Sequence, residues 1–316
     1  MTSIASLRAM FALVLVCLLS ACDPVLPQTE YDDWQFEGFQ VYSHVPDSPR
    51  GLVYFFHGSL GSADFVTKVE TVDLINDLIA AGYAFVATES TDRSENKRWA
   101  LADPSLVSNP DLARLARLQA YLVDNTAVTG TTPIFGVGMS NGARMVSLFG
   151  QSFADAGYPV TAVAPFMAPV DATVRASGGL RLPAFFVLAE NDSLVPNDLI
   201  ELDVAMTQAN GVAAELWVKH EEPLKDWRFT RVPSIDAEEA ALIVDLLVQS
   251  GAWNAEGERQ VPVADAALAA SAVATRPRFA PDGQAVGGQL KNILAEHGFS
   301  AINKLQLVAF FNAQLE

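Results

Sequence analysis

Ser140 is the residue best placed for covalent chemistry. It lies in Gly138-Met139-Ser140-Asn141-Gly142, between an apolar run, Pro133–Val137, and a stretch with helical character, Asn141–Phe153. A sharp strand-to-helix turn of this kind pushes the serine oxygen out above a sheet. Glycines two residues either side let strand and helix pass closely. The new helix aims its free N–H groups and positive dipole end at the same spot. The chemistry this suits is nucleophilic attack on an acyl carbon. It needs a base to take the hydroxyl proton, a carboxylate to orient the base, and donors for the oxyanion.

Candidates for each role follow apolar strands. Asp192, in Glu190-Asn191-Asp192-Ser193-Leu194-Val195-Pro196, follows the strand PAFFVLA and fits the orienting acid; Asp171 and Glu190 are reserves. His220 directly follows AELWVK and precedes Glu221-Glu222-Pro223, which suits the base. His44 lies upstream on an edge strand, and His297 reads as a helix-end residue facing a helix dipole. His57-Gly58 closes the run GLVYFF. There the N–H of Ser59 or Leu60 would pair with that of Asn141 as an oxyanion hole, leaving the His57 side chain structural.

The elements that must position these groups alternate. Strands at Gly51–Phe56, Tyr83–Thr88, Pro133–Val137, Val160–Phe166, Leu182–Ala189 and Ala213–Lys219 are separated by helices. The helices fall near Ala63–Ala81, Pro110–Val123, Asn141–Phe153, Asn197–Ala209 and Ile235–Gln249. Continuous apolar strands alternating with helices imply βαβ units and a mainly parallel sheet. Trp34–Val45 adds one or two edge strands. The polar excursion Glu89–Ser108 holds Trp99 and is too long for a plain connection. Beyond Gly251 the expectation is a helix at Val261–Ala274, a turn-rich link RPRFAPDGQAVGG, and a helical pair at Leu290–His297 and Ala301–Leu315.

HGSLGS, GMSNGARM, ENDSLVP and VKHEEP, in that order, resemble the α/β-hydrolase superfamily from about Gly51 to Gly251. The resemblance implies a mainly parallel α/β-hydrolase sheet flanked by helices, with a C-terminal helical extension. It also implies the chain order serine, acid, histidine, hence Ser140, Asp192 and His220, with no cofactor or metal. Gly138-x-Ser140-Asn141-Gly142-x-x-Met145 further resembles secreted serine esterases of the polyhydroxybutyrate depolymerase and feruloyl esterase type. Arg144 departs from that type, which carries a small residue there. The implied activity is cleavage of a small or polymeric carboxylic ester through an acyl-enzyme. The alternatives are a peptidase or thioesterase on the same fold, or a catalytically silent binding protein. Trp99, Phe166, Met167 and Trp227 are candidates for an apolar pocket. Arg93, Lys97, Arg98 and Arg144 are candidates for attracting an anion, or are simply solvated.

Composition bounds the rest. The chain has 316 residues, half of them hydrophobic, and a formal net charge of −17. That charge argues against nucleic acid and against docking on anionic lipid by charge alone. Arg8 precedes the apolar run Ala9–Leu19, a signal-peptide pattern too short to span a bilayer. Leu19-Ser20-Ala21-Cys22 resembles the bacterial lipobox, which implies cleavage before Cys22 and its lipidation. Residues 1–21 then form a lipoprotein signal peptide and 22–33 a tether. A hydrolase domain over 34–251 and a helical extension over 252–316 complete the division. The implied location is the bacterial cell envelope, lipid-anchored and facing the periplasm or exterior. With Cys17 removed, Cys22 is the one cysteine left, so stability must come from the core. The sequence leaves oligomeric state open.

Overall fold

The computed structural model describes residues 30–316; the expected signal peptide and Cys22 lie outside the described residues. The apolar runs become one eight-stranded sheet in the order β1-β2-β4-β3-β5-β6-β7-β8. The strands are β1 Asp32–Phe36, β2 Phe39–His44, β3 Leu52–Phe56, β4 Ala84–Thr88, β5 Ile134–Met139, β6 Val160–Phe166, β7 Ala184–Ala189 and β8 Ala214–Lys219. From β4 across to β8 every pairing is parallel; β1 and β2 form an antiparallel hairpin on the edge beside β4. This is the strand arrangement of the α/β-hydrolase fold. The central strands are buried on both faces, which is why β3, β4 and β7 read as unbroken apolar runs.

The helices are α1 Val69–Ala80, α2 Pro110–Asn125, α3 Asn141–Asp155, α4 Ala172–Ala176, α5 Asn197–Ala209, α6 Trp227–Thr230, α7 Ala237–Gln249, α8 Val263–Ala274, α9 Gly283–Ile293 and α10 Lys304–Ala313. One sheet face is covered by α2, α3 and α5, through residues such as Leu115, Leu118, Met145, Phe149 and Ile200. The other is covered by α1 and α10, through Leu74, Ile75, Leu78, Leu307, Phe310 and Phe311. Phe311 lies 4.6 Å from Phe135 of β5, centroid to centroid. The last helix is therefore part of the sheet's own core, and residue 251 does not mark where that core ends. A separate cluster, built on Leu224, Phe229, Trp253, Val286 and Leu290, packs α6 to α9 together between β8 and α10.

Two expectations beyond residue 280 are corrected. The segment GQAVGG is not a link but the first turns of α9. The helix expected over Leu290–His297 stops at Ile293, so His297 lies in an irregular segment before α10. That segment is tied down. Asn191, just past β7, donates its backbone N–H to Ala295 O at 3.0 Å and its side-chain amide to Leu294 O at 2.9 Å. The Glu222 N–H reaches Ile293 O at 2.9 Å. The Ala301 N–H donates to the buried carboxylate of Glu70 at 2.8 Å. Glu70 in turn is held by Arg231 at 2.6 Å and by Gln289 at 3.1 Å, which joins α1 to the C-terminal elements through buried polar contacts.

Candidate active site

Ser140 stands between β5 and α3 with φ 57° and ψ −117°, a conformation that costs a non-glycine residue and is retained at reactive turns. Its N–H donates to Phe166 O at the end of β6. The flanking glycines are sterically required. A Cβ at Gly138 would overlap the carbonyl of Gly142, and one at Gly142 would overlap the carbonyl of Phe56.

Asp192 lies in the turn after β7, its side chain fully buried. The carboxylate accepts the N–H groups of Leu194 at 2.8 Å and Val195 at 3.1 Å through one oxygen, and meets His297 Nδ1 at 2.6 Å through the other. Burial works to raise this carboxyl. The His297 contact and the two amides outweigh it and hold it below the usual carboxylate range. With Nδ1 facing a carboxylate, Nε2 of His297 is the nitrogen left to exchange a proton. The segment carrying His297 is tied to the strand ends by Asn191, just past β7, and by Lys219, the last residue of β8. Phe299, two residues on, packs against Phe166 at 4.7 Å, the residue whose carbonyl accepts the Ser140 N–H.

The structure does not bring His220 to Asp192. The His220 side chain is 71 % exposed, and its Nδ1 meets the exposed Glu190 at 3.2 Å. The residue at that strand end that reaches the His297 segment is the one before it. Lys219 is buried, with Nζ on Glu296 O at 2.6 Å, Asn292 Oδ1 at 3.1 Å and Gly298 O at 3.2 Å. It thus grips the backbone on both sides of His297. Burial pulls its ammonium down to about 8. Asp171 caps α4, accepting from the N–H and hydroxyl of Thr173, and meets no histidine. His44 belongs to β2.

His57 is structural. Its Nδ1 donates to Gly58 O at 2.7 Å, its Nε2 accepts the Ser90 N–H at 3.2 Å, and burial holds the imidazole below the ordinary histidine range. It shapes the loop that offers the Ser59 N–H. Ser59 and Asn141 N–H have no partner among the described residues, and both residues line a cleft of about 330 Å³ with Ser140. Leu60 is withdrawn from the oxyanion role, because its N–H donates to Asn96 O at 2.7 Å. The excursion after β4 is ordered around the same cleft. Trp99 donates its backbone N–H to Asn141 Oδ1 at 2.8 Å and its indole N–H to His57 O at 2.9 Å. Asp111 accepts Thr91 and Ala100 N–H groups at 2.6 Å. Trp99 lines the cleft; Phe166 and Met167 are core, and Trp227 lies elsewhere on α6. Among the described residues no three histidine, cysteine or acidic side chains gather as a metal site.

No family model matches the sequence, and no curated protein matches it. Solved structures do resemble the fold. A predicted CIB-like hydrolase from Thermoplasma acidophilum is 21 % identical over 70 % of this chain and 98 % of that one, TM-score 0.44. A Pyrobaculum calidifontis esterase is 18 % identical over 62 % and 76 %, TM-score 0.44. A thermostable esterase is 15 % identical over 62 % of this chain, TM-score 0.45; the match spans 56 % of that esterase.

Proposed function

We propose that this chain is a serine hydrolase that cleaves carboxylic esters, with Ser140 as nucleophile, His297 as base and Asp192 as orienting acid. The observation that carries the reading is the 2.6 Å contact between buried Asp192 and His297 Nδ1; the same sheet holds Ser140 at positive φ after β5. Nε2 takes the Ser140 proton as Oγ attacks the ester carbonyl; catalytic hydrogen bonds of this kind tighten when substrate binds. The oxyanion is received by the Ser59 and Asn141 N–H groups. Collapse releases the alcohol, which leaves with the proton from His297. Water, deprotonated by the same imidazole, then attacks the acyl-enzyme and frees the acid and Ser140. The carboxylate of Asp192 keeps the imidazole in the tautomer these steps need.

The motif around Ser140 supports the polyhydroxybutyrate depolymerase and feruloyl esterase type as the branch it resembles. Leu19–Cys22 supports a lipid-anchored envelope protein. Fluorophosphonate labelling tests the mechanism: wild type and His220→Ala label, whereas Ser140→Ala and His297→Ala do not. Full labelling of His297→Ala with none of His220→Ala would return the base to His220. Labelling of Ser140→Ala would end the serine mechanism. The anchor is tested by the intact mass of membrane-extracted protein, which should begin at a lipid-modified Cys22.

A further inference from the structure

The cleft beside Ser140 carries two arginines, Arg98 and Arg144, and no acidic residue. In a chain with 37 Asp and Glu against 20 Lys and Arg, that is an inverted local charge. Eight arginines among the described residues are held by carboxylates. Arg50 and Arg114 bond to protein oxygens and lie over aromatic rings. Arg93, which the sequence grouped with the cleft pair, is ion-paired to Glu89 at 2.7 Å and lies over Phe39. The guanidinium groups of Arg98 and Arg144, and that of Arg276 outside the cleft, have no such partner among the described residues. Asp92, six residues upstream, accepts the backbone N–H groups of Ser94 and Arg98 and feels the Arg98 charge, but no ion pair joins it to the Arg98 side chain among the described residues.

Arg144 also stands in the first turn of α3, where the helix dipole disfavours a cation and no acidic residue offsets it. Arg98 stands beside Trp99, whose backbone and indole are both hydrogen-bonded, so its loop is fixed before any ligand arrives. A guanidinium presents a planar fork that matches a carboxylate. We propose that Arg98 and Arg144 form an anion subsite beside Ser140, and that the substrate is an ester that also carries a carboxylate. This rests on the hydrolase reading above and names its substrate class. The rest of the cleft, Leu101, Ala168 and Val195 with Trp99, is apolar and would take the carbon chain between the two groups.

The test compares charged and neutral esters of matched carbon skeleton: monomethyl glutarate against methyl valerate for a charge on the acyl side, and 3-carboxyphenyl acetate against 3-methylphenyl acetate for one on the alcohol side. In at least one pair kcat/KM should favour the charged ester tenfold or more. In Arg98→Gln/Arg144→Gln that ratio should fall to about one. A wild-type ratio at or below one in both pairs overturns the proposal, as does a ratio the double substitution leaves intact. Calorimetry with monomethyl glutarate and 3-carboxyphenyl acetate on Ser140→Ala separates the subsite from the chemistry. Binding of either that is lost with both arginines, in a protein whose wild type cleaves no ester, would sink the hydrolase reading and keep the subsite. Cleavage of esters with no arginine-dependent binding would do the reverse.

Discussion

Lys219→Met removes the buried ammonium that grips the His297 segment and keeps a side chain of similar length. The lysine is 1 % exposed, and burial moves it from 10.5 to about 8. Glu70, Asp192 and Glu222 work against that shift and Arg228 adds to it. Between those two values the unfolded chain holds a proton on Lys219 that the folded chain has released. Stability contributed by this residue therefore rises with pH across that window, and the penalty for the buried charge is fully present below pH 8. The gap is worth about 3 kcal/mol. Urea unfolding of wild type and Lys219→Met, at steps from pH 7.5 to 10, cancels every group the two proteins share. The difference between the curves should shift toward wild type by about 2–3 kcal/mol. A second reading of the same variant is kinetic. Glu296 O, Gly298 O and Asn292 Oδ1 lose their common donor, so His297 is held less well. Turnover should fall by about 10²-fold, the cost of a misplacement near 1 Å. A stability difference that stays flat across the pH range would refute the buried-ammonium reasoning, and unchanged turnover would show that the grip does not position the base.

Other substitutions separate the site's parts. Asp192→Asn should lower turnover by roughly 10⁴ if the pair behaves as the chymotrypsin triad does; Asp171→Asn should leave turnover near wild type, though it weakens the cap on α4. Gly138→Ala and Gly142→Ala each place a methyl against a backbone carbonyl, so neither protein should accumulate in soluble form. Phe311→Ala empties a fully buried site against Phe135 and should cost about 3–5 kcal/mol in denaturant unfolding, a loss that an independent C-terminal appendage would not show.

The fold was legible because its signals are local. Apolar strands such as LVYFF and AFFVLA, the Asn109-Pro110 start of α2 and the glycines around Ser140 each act within a few residues. Ser140 and Asp192 lie at the strand ends where those signals point. His297 was not legible by that route. Being one residue past β8 favoured His220, but the chain runs through α6 to α9 before it returns a histidine to the acid. The glycines of GQAVGG hid the start of α9, and extending a helix to His297 hid the turn that presents it. Lys219 looked like a strand leaving for solvent; its partners are carbonyls more than seventy residues away, which no local pattern announces. Charge type alone could not separate Arg98 and Arg144 from Arg93, whose partner is Glu89 four residues upstream.

The path from β8 to His297 also sets an order of assembly. A ribosome that has delivered residue 220 has delivered all eight strands, the elbow serine and the acid. The histidine comes some seventy-five residues later, on a segment that needs Lys219, Asn191 and Glu70 already in place to receive it. If His297 is the base, as proposed, a chain halted anywhere in that interval carries Ser140 without the group that would deprotonate it. On the proposed roles, activity would then begin only once the last part of the chain has been made.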